Sequence, residues 1–377
     1  MRKILGITSV IFPPDIGGPA TYLSKLSEKL VDKGWRIKIF TWGDEEGFEV
    51  RREGRIVIKK MSRKKPLFLR YLLSSLHIYY FLREVDILFS NTLLLPTVLA
   101  NFLLRKPLIA KIVGDEVWER VCDRYIPCLL EEFEDRKFSL GIEIKKKLRN
   151  FSARRADLII VPSKYLKRII EKWGVNEKKV SVLYNPIEIV SRDLNISEKD
   201  PLLIVSVGRF VKIKGFDILV KAVKEVKEAR LILIGDGPEK ENIEKLVIRL
   251  GLENRIKLIG KLPHDKVIEY LKRASIFVLP SYYEGLSHAV LEALYCGCYV
   301  IASRVGGNEE IIRDRINGRL FPAGDREALK RIIEEALLLR PPEYMKLSVT
   351  PKYTWRTHLR DLETLLLKLV KGKKQIC

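Results

Sequence analysis

The sequence predicts an α/β protein of two doubly wound, Rossmann-like domains facing each other across a cleft. Three observations predict it. The chain has 377 residues, too long for one ordinary domain and comfortable for two. Short apolar runs, of the kind that buried parallel strands leave, alternate with amphipathic helical stretches in both halves. Between the halves, residues from about Ile187 to Pro201 are polar and irregular and read as a linker.

In the first half, Ile4–Val10 is an apolar run followed by a Gly/Pro loop and an amphipathic stretch, Tyr22–Lys33. The basic start of MRKILGITSVIFPP imitates a secretory leader. No small-x-small cleavage site follows, so the segment is read as a first buried strand. Gly34 stops the helix and Arg36–Thr41 reads as the second strand. Ile87–Phe89, Leu108–Val113, Leu158–Val161 and Val180–Leu183 are further strands, with a helix over Ser163–Trp173. In the second half, strands are expected at Leu202–Val207, Leu231–Ile234, Ile256–Ile259, Ile276–Leu279 and Tyr299–Ala302. Helices are expected at Phe216–Val226, Lys240–Leu250, Asp265–Ala274 and His288–Cys296. The tail, Trp355–Lys371, has leucines at helical spacing.

With 47% hydrophobic residues each half can bury a core, which excludes global disorder. Lys plus Arg exceeds Asp plus Glu by 22, so an anionic partner is expected. Five cysteines without a CxxC pair, and four histidines, argue against a structural zinc site or a disulfide framework, and for a reduced cytoplasmic compartment. A single glutamine, Gln375, beside abundant Lys, Arg, Glu and Ile is the composition of a heat-adapted protein. The longest apolar stretch, near Leu93–Leu104, contains Pro96 and Asn101 and is too short to cross a bilayer.

Three groups of residues bear on chemistry. Gly17-Gly18, after the first strand, lets backbone approach a ligand closely, or makes only a tight strand-to-helix turn. Arg209 and Lys214 follow strand Leu202–Val207, at the carboxyl edge where doubly wound sheets bind ligands. Two cations there can neutralise a diphosphate without a metal, or belong only to a solvated loop; no P-loop motif is present. Glu284 and Glu292 lie eight residues apart in SYYEGLSHAVLE. Glu284 precedes a helix and Glu292 lies within it, roughly 12 Å further along at 1.5 Å per residue. The helix start near Gly285, Leu286 and Ser287 offers N–H groups to phosphates between them. That order, hydroxyls, diphosphate, hydroxyls, suits a nucleoside diphosphate sugar; the alternative is an acidic first turn and an exposed Glu of an ordinary helix.

The chain resembles the family 4 retaining glycosyltransferases, which have the GT-B fold and use nucleotide sugars. The resemblance runs through PPDIGGPATYLSKL, LYNPIE, SVGRFVKIKGFDILVKA, LILIGDGP, LPSYYEGLSHAVLEALYCGCYVIAS, GGNEEII and NGRLFPAGD. It implies an acceptor-binding domain over 1–190, a nucleotide-sugar-binding domain over 191–352, and a final helix over 353–377 that crosses back to the first domain. It also implies roles. Arg209 and Lys214 grip the diphosphate, Glu284 contacts the transferred sugar and Glu292 the ribose. Gly17, Gly18, Gly285, Leu286 and Ser287 lie along phosphates and sugar, and Lys261 and Leu262 border the base. UDP or GDP is the expected nucleotide, no cofactor or metal is expected, and the leaving phosphate takes the acceptor's proton. The other readings are a GT-B relative with epimerase or phosphorylase chemistry and, more remotely, a nucleic-acid-binding protein. No nucleic-acid-binding signature supports the last, so no nucleic acid partner is expected.

The family commonly has a His near the sugar at the end of an N-terminal-domain strand. Here that segment reads KIVGDEVWER, residues 111–120, with Gly114 or Asp115 in its place. Asp115 is therefore expected to act beside the sugar or acceptor, with Glu116, Trp118 and Glu119 as weaker candidates; Trp118 as core and Glu119 as a solvated side chain is the alternative. Residues 51–83 carry ten bases and one acid interleaved with aromatics and leucines, and Lys145–Arg155 six bases and no acid. Such surfaces suit an anionic membrane, with a lipid-linked or glycan acceptor, or are simply solvated faces.

Overall fold

The computed structural model describes residues 3–15, 17–122, 128–188, 199–339 and 351–374. Residues 189–198 of the expected linker, and Gln375, lie outside them. The first sheet contains β1 (Ile4–Ser9), β2 (Arg36–Gly43), β3 (Gly47–Arg51), β4 (Ile56–Ser62), β5 (Ile87–Ser90), β6 (Leu108–Lys111), β7 (Leu158–Val161) and β8 (Val180–Val182). Its order is β3-β4-β2-β1-β5-β6-β7-β8. Every pairing is parallel except β3 with β4. The second sheet contains β9 (Asp200–Val207), β10 (Arg230–Ile234), β11 (Ile256–Gly260), β12 (Ala274–Leu279), β13 (Tyr299–Ser303) and β14 (Gly318–Phe321), ordered β11-β10-β9-β12-β13-β14 and wholly parallel.

In both sheets the chain starts in the middle, winds outward to one edge, then returns to wind to the other. The winding reverses between β1 and β5, and between β9 and β12. Loops leaving the carboxyl ends of these strands diverge to opposite faces, which opens a crevice there. The strands are apolar because helices cover both faces, as in Leu158–Val161 and Ala274–Leu279, buried throughout.

One face of the first sheet packs on the helices Gly18–Val31 and Trp355–Lys374, through Leu23, Leu26 and Leu30 from the former and Leu362, Leu366 and Val370 from the latter. The tail helix thereby completes the core of the first domain. His358 fixes its start. Nδ1 lies 2.8 Å from the Tyr184 carbonyl, which can only accept, so Nδ1 carries the proton and Nε2 accepts from the Tyr22 hydroxyl, also at 2.8 Å. Burial beside Lys111 lowers the His358 pKa to about 3, so the folded state holds it neutral. The unfolded chain protonates this ring near the ordinary His value of about 6.5. Between those values the unfolded state binds the extra proton, so stability falls as pH drops through that window, by about 1.4 kcal/mol per pH unit from this group. Denaturant titrations from pH 6 to pH 4 are expected to show a shallower loss in His358→Asn than in the unmodified chain; equal slopes would exclude the buried ring as the cause.

The structure adds elements that the sequence pattern did not mark. Residues 47–62 form an edge hairpin, β3 and β4, that overlaps the start of the basic run. Ile56, Ile58 and Met61 turn inward while the lysines turn out. Charge on an exposed edge strand deters pairing with another chain. Several of these bases meet acids from elsewhere: Arg63 pairs with Asp15, Arg52 with Asp32, Lys60 with Glu49 and Lys65 with Glu46. The cationic run is thus less concentrated in space than in sequence. The helices Leu67–Leu82, Leu94–Leu104 and Leu140–Arg155 cover the other face of the first sheet. Among the described residues, no helix is long and apolar enough to cross a membrane.

Candidate active site

The residues expected on the donor side converge where the second sheet reverses. Strand β9 delivers Gly208 and the exposed Arg209, and a short 3-10 turn then carries Lys214. Strand β12 delivers Ser281 and Glu284 from its loop. The two loops meet: the Tyr282 amide donates to the Ile213 carbonyl at 2.7 Å. Lys214 Nζ then reaches Glu284 Oε1 at 2.5 Å, and Ser281 Oγ donates to the same oxygen at 2.6 Å. The Glu284 carboxylate is nearly buried, so partial removal from water strengthens its attraction to Lys214. Arg209 forms no ion pair among the described residues and stands free at the edge.

The Glu284–Gly285 turn rests on the loop after β13. Gly306, at φ 56°, sits so close that any Cβ would stand 1.8 Å from the Glu284 carbonyl oxygen. Gly307 donates its amide to that same carbonyl at 2.9 Å. The glycine pair of GGNEEII therefore supports the Glu284 backbone, and only glycine fits at 306. Ser287 caps the helix His288–Tyr295 by accepting from the Val290 amide, and Leu286 is buried beneath. Glu292, further along that helix, meets a residue the motif reading passed over. His264 Nε2 lies 2.9 Å from Glu292 Oε1, and this contact raises the His264 pKa. His264 begins the helix directly after Lys261, which is exposed, and Leu262. The base-side and ribose-side candidates are thus neighbours.

The first domain meets this cluster along β6 and its loop. Gly285 packs against the Val113 carbonyl, and Tyr283 donates its hydroxyl to that oxygen at 3.1 Å. Tyr283 also packs edge-on against Trp118. Glu310, of GGNEEII, binds across the cleft as well: it accepts from the Tyr165 amide at 2.9 Å and from the Tyr184 hydroxyl at 3.1 Å. Gly17 and Gly18 lie at the start of the helix Gly18–Val31, half-buried and exposed respectively. No hydrogen bond among the described residues ties them to the Glu284 cluster.

Asp115 departs from its expected use. Its Oδ1 accepts from the Val117 and Trp118 amides at 2.9 and 3.2 Å, capping the helix Glu116–Cys122, and Oδ2 is paired with Arg149. Arg149 in turn pairs with Glu134 and stacks on Trp173. A carboxylate so engaged caps the helix and holds Arg149 rather than facing a sugar. Trp118 is fully buried core. The cation this region does contribute is Lys111. It is buried, donates to Asn185 Oδ1 at 2.9 Å and lies over the Tyr22 ring; desolvation lowers its pKa to about 7. A charged residue ending an otherwise apolar strand was the available signal.

Comparison with known proteins agrees with this geometry. Residues 16–190 match the family model described as Glycosyltransferase Family 4, and residues 188–349 that described as Glycosyl transferases group 1. The chain is 26% identical to an uncharacterized glycosyltransferase of Methanocaldococcus jannaschii, over 98% of this chain and 100% of the relative. Among solved structures, sucrose-phosphate synthase from Thermosynechococcus elongatus superposes with a TM-score of 0.80 at 20% identity, covering 98% of this chain and 100% of that one. Anabaena HepE, solved with UDP and glucose, superposes with a TM-score of 0.68 at 20% identity, covering 100% and 99%.

Proposed function

The chain is a GT-B glycosyltransferase of the family 4 kind, and on that premise we propose that it transfers a sugar, with retention of configuration, from a nucleoside diphosphate sugar to a glycan or lipid-linked acceptor. The observation that carries the proposal is the Lys214–Glu284 pair beside the free Arg209, at the reversal point of the second sheet. Arg209 and Lys214 neutralise the charge that grows on the departing diphosphate. Glu284 accepts hydrogen bonds from the sugar hydroxyls, and Glu292, oriented by His264, takes the ribose. Gly17 and Gly18, at a helix start facing the crevice from the other domain, lie along the phosphates and sugar. The leaving phosphate oxygen takes the acceptor hydroxyl's proton on the face of departure. UDP or GDP is the proposed nucleotide, and anionic lipid the surface on which the first domain works.

Thermal unfolding with UDP, GDP, ADP, dTDP and CMP tests the proposal. One nucleoside diphosphate is expected to raise the melting temperature selectively, since a ligand that binds only the folded state stabilises it by about 2.7 kcal/mol at a hundredfold excess over Kd. No rise with any of them at millimolar concentration, with magnesium present, would count against the donor site.

A further inference from the structure

A cavity of about 630 Å³ penetrates the first domain beneath the helices Leu67–Leu82, Leu94–Leu104 and Leu140–Arg155. Its walls are mostly apolar, with Phe68, Leu72, Leu95, Leu99 and Leu148 among them. That volume lies in the range of small-molecule sites. Its inner end is polar. Ser90 and Asn91, at the carboxyl end of β5, are 1% and 5% exposed and line the cavity. Among the described residues the Ser90 hydroxyl and both amide atoms of Asn91 have no hydrogen-bond partner, nor has Nε1 of Trp173, which also lines the cavity. Buried polar atoms left unpaired cost free energy, so such a cluster marks a place where water or a ligand supplies the missing partners.

The inner end is also next to the donor. Val113 and Gly114 line the cavity on one side, and the Val113 carbonyl touches Gly285 and Tyr283 on the other. The outer end is amphipathic. Phe68 is 84% exposed, and Leu72, Leu99, Phe102, Leu103, Ile144 and Leu148 are exposed on the same three helices. Lys145 lines the cavity and has no ion pair among the described residues. Arg120 lines it with Glu116 and Glu119, and pairs with Glu116 at 3.9 Å. Arg155 lies over the Phe102 and Phe151 rings.

We propose that this cavity binds the acceptor as a lipid phosphate: the aliphatic chain lies between the three helices, the phosphate pairs with Lys145 and Arg120, and the hydroxyl-bearing end bonds to Ser90 and Asn91 beside the donor. The proposal rests on the glycosyltransferase reading and gives it an acceptor class. A protein partner does not suit a cavity whose unpaired polar atoms are at its buried end. An apolar chain entering there leaves water on burial, and the basic surroundings favour a negative head group.

Dodecyl phosphate below its micellar concentration is the probe, with inorganic phosphate and dodecyl maltoside as controls, measured by titration calorimetry on the full chain. Dodecyl phosphate is expected to bind at least ~10-fold more tightly than either control, and Leu72→Trp, which fills the passage, and Lys145→Ala, which removes a partner of the phosphate, are each expected to weaken it ~10-fold. Leu72 is half-exposed, so its substitution leaves the core intact. In both variants the melting-temperature rise with the stabilising nucleoside diphosphate is expected to persist. Dodecyl phosphate binding no better than inorganic phosphate, or binding both variants as tightly as the unmodified chain, overturns the lipid site while the donor reading stands. Loss of the nucleotide response in the unmodified chain would instead remove the donor reading and leave the lipid site in place.

Discussion

Glu284→Ala is expected to abolish sugar transfer while leaving nucleoside diphosphate binding intact. The carboxylate is nearly buried, held by Lys214 and Ser281, and its backbone is propped by Gly306 and Gly307. A group so constrained contributes by fixed position, and removing one preorganised polar group of this kind typically costs about 10²–10³-fold in kcat. The substitution also frees Lys214 from its internal partner, so diphosphate affinity is expected to hold or rise. The check is kcat by donor turnover beside nucleotide Kd by calorimetry. Wild-type turnover in Glu284→Ala would place the reacting sugar elsewhere; loss of nucleotide binding together with turnover would mean that the loop, not the carboxylate, had been removed.

The second large effect concerns the two cations. Charge-assisted hydrogen bonds contribute about 1.5–3 kcal/mol each, so Arg209→Ala with Lys214→Ala is expected to weaken nucleoside diphosphate binding about 10²- to 10⁴-fold. The double variant carries an added penalty, since Glu284 then faces the diphosphate without a counter-ion. Arg209→Ala alone separates affinity from folding. Its side chain is exposed and forms no ion pair among the described residues, so the melting temperature without nucleotide should stay constant while affinity falls. Unchanged affinity in Arg209→Ala would remove that residue from the site.

Much of this was legible because parallel strands buried on both faces leave apolar runs, and because the ligand edge of such sheets always lies at their carboxyl ends. Arg209, Lys214 and Glu284 could be placed at one edge from strand ends alone. Less regular pieces were not legible. The β3–β4 hairpin overlaps a run read for its charge, and β4 shows only three inward apolar residues, Ile56, Ile58 and Met61, among its bases. Asp115 was expected beside the sugar because it stands where the resembled family has a His, and sequence does not show the Arg149 that binds it, thirty-four residues on. His264 carries no motif; it matters only because its helix start faces Glu292.

By itself, then, the sequence determined the two windings and which residues stand at the carboxyl edge of the second sheet, since both depend on periodicity and on short spacings along the chain. Tertiary structure alone decided which groups hold one another. The Lys214–Glu284 pair joins residues seventy apart, Glu310 reaches Tyr165 and Tyr184 across the cleft, and His358 reaches back to Tyr22. It also decided which polar atoms were left unsatisfied, as at Ser90 and Asn91. The physical reason is that pairing and desolvation are properties of the space enclosed when two sheets and their helices close together, and no local pattern of residues encodes what will stand opposite a side chain once water has been removed.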